Sequence, residues 1–336
     1  MNFASDNWAG ATDAVMAAVQ RHNGGFAPGY GSDPLTWSVA ATFSEVFERE
    51  VEVFFVGTGT AANAISMAAA GRPGGLVFAT TEAHIQNDEF GATEFYSGGM
   101  KIIPVGNRHG LMEPAALEAT IARYGGRFGL PTVLSLTNAT ECGTVYYADA
   151  VAELAGIGKR HGLTVHMDGA RFANAVAALN ASPAEITWKA GIDILSFGGT
   201  KNGCMAAEAV VVFEPGKYPN LPAIRQRAGH TASKARFIAA QFEGYFEGWL
   251  ATARHANAMA ARLSTGLRQK ARLAWESQAN EVFPVLPRAT IARLREAGAT
   301  LYEWPADGVS ADEDCVRLVS SFATTEAEVD RFLSLL

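Results

Sequence analysis

Short apolar runs that alternate with helical segments are the feature that most constrains this fold. The runs occupy residues 51–56, 75–79, 132–136, 163–167, 193–196 and 209–213. Between them, the Ala-rich segment 60–71 predicts a helix with Gly71 as its C-cap, and 149–161 predicts a helix that begins at Asp149. Strands that are apolar on both faces are typical of a mostly parallel sheet covered by helices. The pattern therefore predicts an α/β fold.

The pattern changes after about residue 213. Residues 223–270 predict long helices, and a second set of elements follows, with strands at 275–284, 300–304 and 315–322 and helices at 288–297 and 325–336. We interpret residues 46–240 as a large domain and 241–336 as a long helix with a small C-terminal α/β domain. The first 45 residues have weak periodicity, and we expect them to pack on the large domain or on a partner subunit.

Composition excludes several classes of protein. Apolar residues make up 49% of the 336 residues, which argues against disorder, and the net charge of −7 without a basic run argues against nucleic acid as a partner. Cys142, Cys204 and Cys315 lie far apart, so we expect neither disulfides nor a metal site. The N-terminus lacks the pattern of a signal peptide, and no apolar stretch is long enough to span a bilayer. We expect a cytoplasmic protein that does not bind membranes.

Two charged residues follow predicted strands. Asp168 ends the run at 163–167 and precedes Gly169, at the strand end where open α/β sheets bind ligands. Lys201 follows the next run within a Gly-rich turn, where a desolvated lysine can act as a nucleophile. Taken alone, Asp168 is equally typical of a helix cap or a loop salt bridge. Lys201 alone is more typical of a solvated loop.

A turn at residues 58–63, with the sequence Thr-Gly-Thr-Ala-Ala-Asn, follows the first apolar run and opens a helix. Its glycine allows close approach to the backbone, its hydroxyls add donors, and the helix N-terminus attracts an anion. The turn lacks the Gly-Lys-Ser/Thr ending of a Walker A loop. It suits a single phosphate group, although ordinary turn chemistry explains it equally well.

Together, these three features are much more specific. Pyridoxal 5'-phosphate requires an anion site for its phosphate, a carboxylate that keeps its ring nitrogen protonated and a lysine for the Schiff base. The chain offers them in the turn at Thr58, at Asp168 and at Lys201, 33 residues further on. The sequence therefore predicts a pyridoxal-phosphate enzyme.

At this level of detail the chain resembles the threonine aldolases, within the aminotransferase-like enzymes of fold type I. The segments that carry the resemblance are collinear with the family pattern and include Ser5-Asp6, residues 30–34, Gly59-Thr60, Ala62-Asn63, residues 83–85, residues 168–171 and Thr200-Lys201. The resemblance covers most of the chain and is weaker in the C-terminal domain. It implies a mostly parallel seven-stranded sheet between helices, a smaller C-terminal α/β domain and a homotetramer arranged as a dimer of dimers.

The resemblance also implies a role for each site residue. Lys201 would form the Schiff base, Asp168 would pair with the ring nitrogen, and His84 would stack on the ring and assist proton transfer. The further cofactor-binding residues would be Thr58, Gly59, Thr60, Arg171, Thr200, Arg227 and Lys234, the last two reaching from a neighbouring subunit. The substrate-binding residues would be Ser5, Tyr30, Arg171 and Arg317. Each has a plainer structural alternative, such as a cap for Ser5, a solvated helix face for Arg227 and Lys234, or packing for Tyr30.

The sequence departs from the common family pattern at two places. Thr140 stands where many relatives carry a histidine, and a threonine is a poor general base. Either His84 or a water would then act as the base, or the preferred β-substituent differs. Asn202 displaces by one position the glycine that often follows the lysine. These differences suggest a subgroup that favours bulky substrates such as phenylserine.

The implied reaction is retro-aldol cleavage of L-threonine, L-allo-threonine or a related L-β-hydroxy-α-amino acid to glycine and an aldehyde. A β-eliminating lyase or an amino-acid racemase is the alternative on the same scaffold, because fold does not decide among them. A nicotinamide-dependent dehydrogenase would need an acidic residue about 20 residues after the glycine turn, where Glu82 is a poor fit. A non-enzymatic binding protein would leave Lys201 and Asp168 unexplained.

Overall fold

The computed structural model describes residues 1–336, and it contains three sheets. The strands are, in chain order, β1 Glu52–Val56, β2 Gly75–Thr80, β3 Lys101–Val105, β4 Asn107–Arg108, β5 Leu111–Met112, β6 Leu130–Thr137, β7 Thr164–Gly169, β8 Ile194–Gly198, β9 Glu208–Val212, β10 Arg272–Leu273, β11 Glu281–Val282, β12 Pro284–Pro287, β13 Tyr302–Glu303 and β14 Glu313–Val319.

The helices flank these strands. They are α1 Asp13–Arg21, α2 Pro34–Val46, α3 Gly59–Ala70, α4 His84–Asn87, α5 Ala92–Tyr96, α6 Pro114–Tyr124, α7 Ala148–Arg160, α8 Phe172–Leu179, α9 Leu221–Arg227, α10 Arg236–Phe246, α11 Trp249–Leu267, α12 Arg288–Glu296 and α13 Glu326–Ser334. Short 3₁₀ turns lie at Asp6–Trp8, Trp188–Ala190 and Thr200–Asn202.

The central sheet has seven strands in the order β1-β9-β8-β7-β6-β2-β3. Strand β9 runs antiparallel to both of its neighbours, and the other four pairings are parallel. The predicted α/β fold with a mostly parallel seven-stranded sheet is thus confirmed. Because β1, β6, β7 and β8 run in the same direction, the loops that follow them meet at one edge of the sheet.

The two largest of five buried apolar clusters lie in different parts of the chain. The larger lies around the central sheet, where Phe43, Phe197 and Phe242 pack edge to face. The smaller lies between α11, α12, α13 and strands β12 and β14, and it includes Phe3, whose ring contacts Phe332. The first residues therefore cross to the C-terminal part. The division at residue 241 remains an interpretation of the sequence.

The structure adds two helices near the N-terminus and corrects two local predictions. The first 45 residues hold two helices, α1 and α2, whose N-termini are capped by the side chains of Thr12 and Asp33. Helix α7 begins at Ala148, so Asp149 lies inside its first turn and does not cap it. Residues 275–284 do not form one strand, because the backbone of Gln278 and Ala279 donates hydrogen bonds to the carbonyl of Gly143 instead of to a strand.

Two further observations concern membrane-spanning helices and sites built from cysteines or metal ligands. No helix combines the length and the apolar character needed to cross a membrane. Cys142, Cys204 and Cys315 are buried free thiols, and no cluster of three or more His, Cys, Asp or Glu side chains has a geometry that would hold a metal ion.

Candidate active site

A cavity of about 340 Å³ opens at the edge of the sheet where β1, β7 and β8 end. Its lining residues come from several loops and are Asn7, Gly57, Thr58, Gly59, Thr60, Asn63, His84, Asp168, Ala170, Thr200, Lys201, Met205, Ala206 and Glu208. The structure therefore brings together seven of the predicted cofactor-binding residues, which come from four separate parts of the sequence. It also leaves others outside, as described below.

The turn after β1 forms the N-terminus of α3 and offers donors to the cavity. The hydroxyl of Thr58 accepts a hydrogen bond from the Ala61 N–H at 3.2 Å, and its carbonyl accepts one from Ala62. The N–H groups of Gly59 and Thr60 have no partner in the chain. A Cβ atom built on Gly59 would meet nothing within 4 Å. The turn therefore leaves room and free donors for a phosphate group.

Asp168 lies at the end of β7 and is almost completely buried. Its Oδ2 accepts a hydrogen bond from the Asn63 side chain at 2.8 Å, and its Oδ1 accepts one from the Ala170 N–H at 3.0 Å. Each carboxylate oxygen retains acceptor capacity beyond these bonds. The carboxylate is therefore fixed in orientation and can accept a further hydrogen bond from a donor in the cavity.

Lys201 lies in the 3₁₀ turn that follows β8 and makes neither a salt bridge nor a hydrogen bond through its side chain. Its neighbours fix the turn: Asn202 donates to the carbonyl of Trp249 at 2.8 Å, and the Thr200 hydroxyl accepts from the Ala207 N–H at 3.3 Å. The lysine side chain is thus free to react while its backbone is held.

Glu208 lines the same cavity at the start of β9. It accepts a hydrogen bond from the Gly199 N–H at 3.1 Å. Burial raises the pKa of Glu208 to about 7, although hydrogen bonds from Thr200 and Gly199 and the charge of Lys201 lower it. A carboxyl group that is protonated for part of the time near neutrality can lie close to a bound anion without strong repulsion.

His84 is linked to Asp168 through two other side chains. Its Nδ1 lies 2.9 Å from Glu89 Oε1, and the Asn63 amide donates both to that oxygen at 2.9 Å and to Asp168. The hydrogen bond to Glu89 raises the pKa of His84, while burial raises that of Glu89. A proton held between Nδ1 and Glu89 leaves Nε2 as the basic nitrogen. The arrangement suits His84 to act as a general base.

Replacing Glu89 with glutamine should lower the pKa of His84, because the largest cause of its upward shift is lost. The limb of the pH profile of kcat/KM that rises with deprotonation of His84 should therefore move to lower pH. The maximum should fall by up to about 10²-fold as the imidazole loses its fixed tautomer. Asp88→Asn, at an exposed neighbouring carboxylate, is the control. An unmoved limb would show that the titrating group is not His84.

Arg171 and Ser5 do not line this cavity. Arg171 is buried, and its Nε and Nη2 donate to the two oxygens of Asp6 at 2.8 and 3.1 Å. The Ser5 hydroxyl accepts from the Asn7 N–H at 3.1 Å and so caps a 3₁₀ turn. Their predicted substrate-binding roles therefore remain predictions. In this chain both side chains already have internal partners.

The remaining predicted residues lie further out. Arg317 on β14 stacks on Trp304, with its guanidinium carbon 4.7 Å from the ring centroid, and its side chain is 16% exposed. Tyr30, Arg227 and Lys234 are exposed. The backbone N–H of Tyr30 donates to the carbonyl of Ser233, so Tyr30 lies next to Lys234. Their roles also stay predictions.

Thr140 has a structural role in this chain. Its hydroxyl pairs with that of Thr144 at 2.7 Å and accepts from the Cys142 N–H, inside a buried turn. It does not line the cavity. The next residue, Glu141, instead directs a buried carboxylate toward Arg171 and Arg317.

Sequence reasoning missed four buried acids near the site, Glu89, Glu141, Glu208 and Glu281. Glu208 follows Lys201 at the start of an apolar run, where an acidic residue is uncommon, and this was a usable signal. Glu281 likewise precedes an apolar run, at residues 282–286, whereas Glu89 lies in ordinary polar surroundings in the sequence. Nothing local distinguishes Glu89 from a surface acid.

A sheet of this topology, with a phosphate-binding turn, a buried aspartate and a free lysine at one edge, defines an aminotransferase-like enzyme of fold type I. Pyridoxal 5'-phosphate is the cofactor of such enzymes, and the residues that line the cavity fit it. Glu82, which a dehydrogenase would need near the turn at Thr58, lines a different cavity with His109 and Trp275.

Comparisons with known proteins define the family. The sequence model of the family described as beta-eliminating lyase matches residues 2–286. The low-specificity L-threonine aldolase of a Pseudomonas species is 37% identical over 97% of this chain and 94% of its own length. That of Pseudomonas aeruginosa is 39% identical over 91% and 90%. The solved structure of Leishmania major threonine aldolase superposes with a TM-score of 0.93 at 29% identity, covering 99% of this chain and 98% of its own.

The chain therefore belongs to the threonine aldolases of the beta-eliminating lyase family. This confirms the family resemblance read from the sequence and the prediction of a lyase of threonine aldolase type.

Proposed function

We propose that this chain cleaves L-threonine, L-allo-threonine and related L-β-hydroxy-α-amino acids to glycine and an aldehyde, with pyridoxal phosphate as its cofactor. The observation that carries the proposal is the meeting of Lys201, Asp168 and the free N–H groups of Gly59 and Thr60 in one cavity. The low-specificity aldolases that are 37% and 39% identical support the substrate class.

Several residues would hold the cofactor. The N–H groups of Gly59 and Thr60 would bind its phosphate, Asp168 would hold its ring nitrogen protonated, and Lys201 would bind its aldehyde carbon. Bound pyridoxal phosphate supplies an electron sink for the charge that develops at Cα of the amino acid. The fixed orientation of Asp168, set by Asn63 and Ala170, requires no reorganisation as that charge develops.

His84 would remove the proton of the β-hydroxyl group through Nε2, because Glu89 engages Nδ1. As the Cα–Cβ bond breaks, the hydroxyl oxygen becomes the aldehyde oxygen. Protonation at Cα then completes glycine. Thr140 takes no part in this scheme, since its hydroxyl is engaged by Thr144.

The test is aldehyde release from L-threonine, L-allo-threonine and L-phenylserine by the enzyme loaded with cofactor, with D-threonine as control. We expect release from the L-substrates, and the rate order describes the β-substituent pocket. Release of pyruvate from L-serine without any aldehyde from this panel would favour a β-eliminating lyase. Formation of D-amino acids alone would favour a racemase.

We further propose a homo-oligomer, a dimer of dimers, in the cytoplasm. Phe26 and Phe90 are fully exposed, and Trp37 and Phe95 are largely exposed, which is unusual for so many large apolar side chains. The exposed cations Arg227 and Lys234 have no acidic partner in the chain and suit a neighbour's phosphate site. Buried free thiols suit a reducing compartment. Light scattering after size-exclusion chromatography measures the molar mass and so the number of subunits. A monomer would overturn the proposed assembly.

A further inference from the structure

A second cluster of charges lies outside the cavity, where the large and C-terminal parts of the chain meet. It comprises Asp6, Glu141, Arg171, Glu281 and Arg317, which we call the acid–arginine cluster. Four of the five side chains are at most 6% exposed, and Arg317 is 16% exposed. Five separate segments contribute these residues, so packing alone brings them together.

Within the acid–arginine cluster, only one pair is close. Asp6 accepts two hydrogen bonds from Arg171. Glu141 accepts a longer one from Arg171 at 3.5 Å and lies 3.7 Å from Arg317. Glu281 lies 3.5 Å from Arg171 and 3.8 Å from Arg317 and accepts a hydrogen bond from neither. Both oxygens of Glu281, one oxygen of Glu141 and Nε of Arg317 make no hydrogen bond although they are buried. Buried polar atoms normally have partners. Arg317 therefore has donors available for a ligand.

Charge balance determines what such a ligand requires. Two arginines and three ionised acids sum to 2 − 3 = −1. A further carboxylate would bring the buried cluster to −2, which is costly in a site that excludes water. One proton taken up by an acid of the cluster would restore the balance.

Glu281 is the acid suited to take it. Burial raises the pKa of Glu281 to about 7. The charges of Arg171 and Arg317 lower this pKa, and those of Glu141 and Asp6 raise it. Burial would also raise the pKa of Glu141, but the charges of Lys201, Arg171, His84 and Arg317 outweigh it and hold that pKa low. Arg171 likewise keeps the pKa of Asp6 low. The buried Cys142 thiol, the other titratable neighbour, stays protonated.

We propose that Glu281 is a positioning residue that takes up a proton when the carboxylate of an amino-acid ligand binds Arg317. The protonated Glu281 no longer competes for the arginine and can donate a hydrogen bond to an acceptor. The inference rests on the proposed function and on the predicted substrate-binding role of Arg317.

The consequence is a pH-dependent affinity for the ligand's carboxylate. Below about pH 7, Glu281 is already protonated and binding needs no proton. As pH rises above that value, each binding event must recruit one proton, so affinity falls. In Glu281→Gln the side chain is always neutral, and at pH 8 the variant should bind glycine about tenfold more tightly than the wild type.

The experiment is isothermal titration of cofactor-loaded enzyme with glycine, in buffers of different ionisation enthalpy. Methylamine, which lacks the carboxylate, provides the reference for proton changes at the amine and cofactor. The quantity compared is the number of protons taken up per glycine bound, minus the number taken up per methylamine bound. For the wild type we expect this difference to rise toward one proton between pH 6 and 8. Glu281→Gln should abolish this difference. Glu276→Gln, an exposed acid five residues earlier, should leave it unchanged.

Three results would overturn the inference. The first is an equal difference in wild type and Glu281→Gln. The second is its loss in Glu141→Gln but not in Glu281→Gln, which would place the proton on the other acid. The third, independent of any variant, is a wild-type difference that does not change with pH. If glycine binds to none of these proteins while the cofactor is bound, the proposed function fails, and the inference fails with it.

Discussion

Replacing Lys201 with alanine is expected to lower kcat/KM for aldehyde release on the order of 10³-fold or more. Lys201 is the only lysine in the cavity, and its side chain has no internal partner that would suggest a structural role. The variant should still bind pyridoxal phosphate through the turn at Thr58 and Asp168. It should lack the visible absorbance of a cofactor bound covalently to lysine.

The matched control is Lys101→Ala, because Lys101 is exposed on β3 and makes no salt bridge. Aldehyde release and the absorbance spectrum together separate the possible results. Activity retained in Lys201→Ala would contradict the assignment of the lysine. Loss of both activity and cofactor binding, with an altered unfolding midpoint, would instead indicate damage to the fold.

Replacing Arg171 with alanine is expected to destabilise the fold by about 3–5 kcal/mol, because it leaves the buried Asp6 carboxylate without its cation. Glu141 and Glu281 lose the same neighbour. Urea unfolding of the cofactor-free proteins measures the loss. The loss should be fully developed above about pH 4, where an unfolded aspartate is ionised, and should shrink as pH falls below that value, because Arg171 lowers the pKa of Asp6 in the folded protein.

Arg160→Ala provides the comparison, because Arg160 forms an exposed pair with Glu118. Its effect should be much smaller. A near-normal stability of Arg171→Ala together with weakened ligand binding would contradict the structural role. That result would return Arg171 to the predicted role of holding the substrate carboxylate.

These two variants test different kinds of buried charge. The side chain of Lys201 has no partner within the chain, whereas that of Arg171 forms a salt bridge with Asp6. Both lie close to the same edge of the sheet, and both follow strands that sequence analysis located. The difference between them depends on which partner the rest of the chain supplies.

The apolar runs predicted the strands well because a strand buried on both faces has a local signature. Strands β1, β2, β6, β7, β8 and β9 overlap the six predicted runs. Strand β3 was missed, since Lys101 and Pro104 interrupt its apolar residues. The segment 275–284 was misassigned because its backbone pairs with a distant loop, and that pairing leaves no trace in local composition.

The sequence by itself determined the sheet, the turn at Thr58 and the positions of Asp168 and Lys201. Each of these depends on residues that are close together in the chain, and parallel strands carry their ends to one edge. Only the tertiary structure decided that Glu89 orients His84, that Asp6 occupies Arg171 and that Glu281 lies unpaired beside Arg317. Asp6 and Arg171 are 165 residues apart. Such contacts follow from how elements pack, and packing is fixed by the sum of many distant contacts.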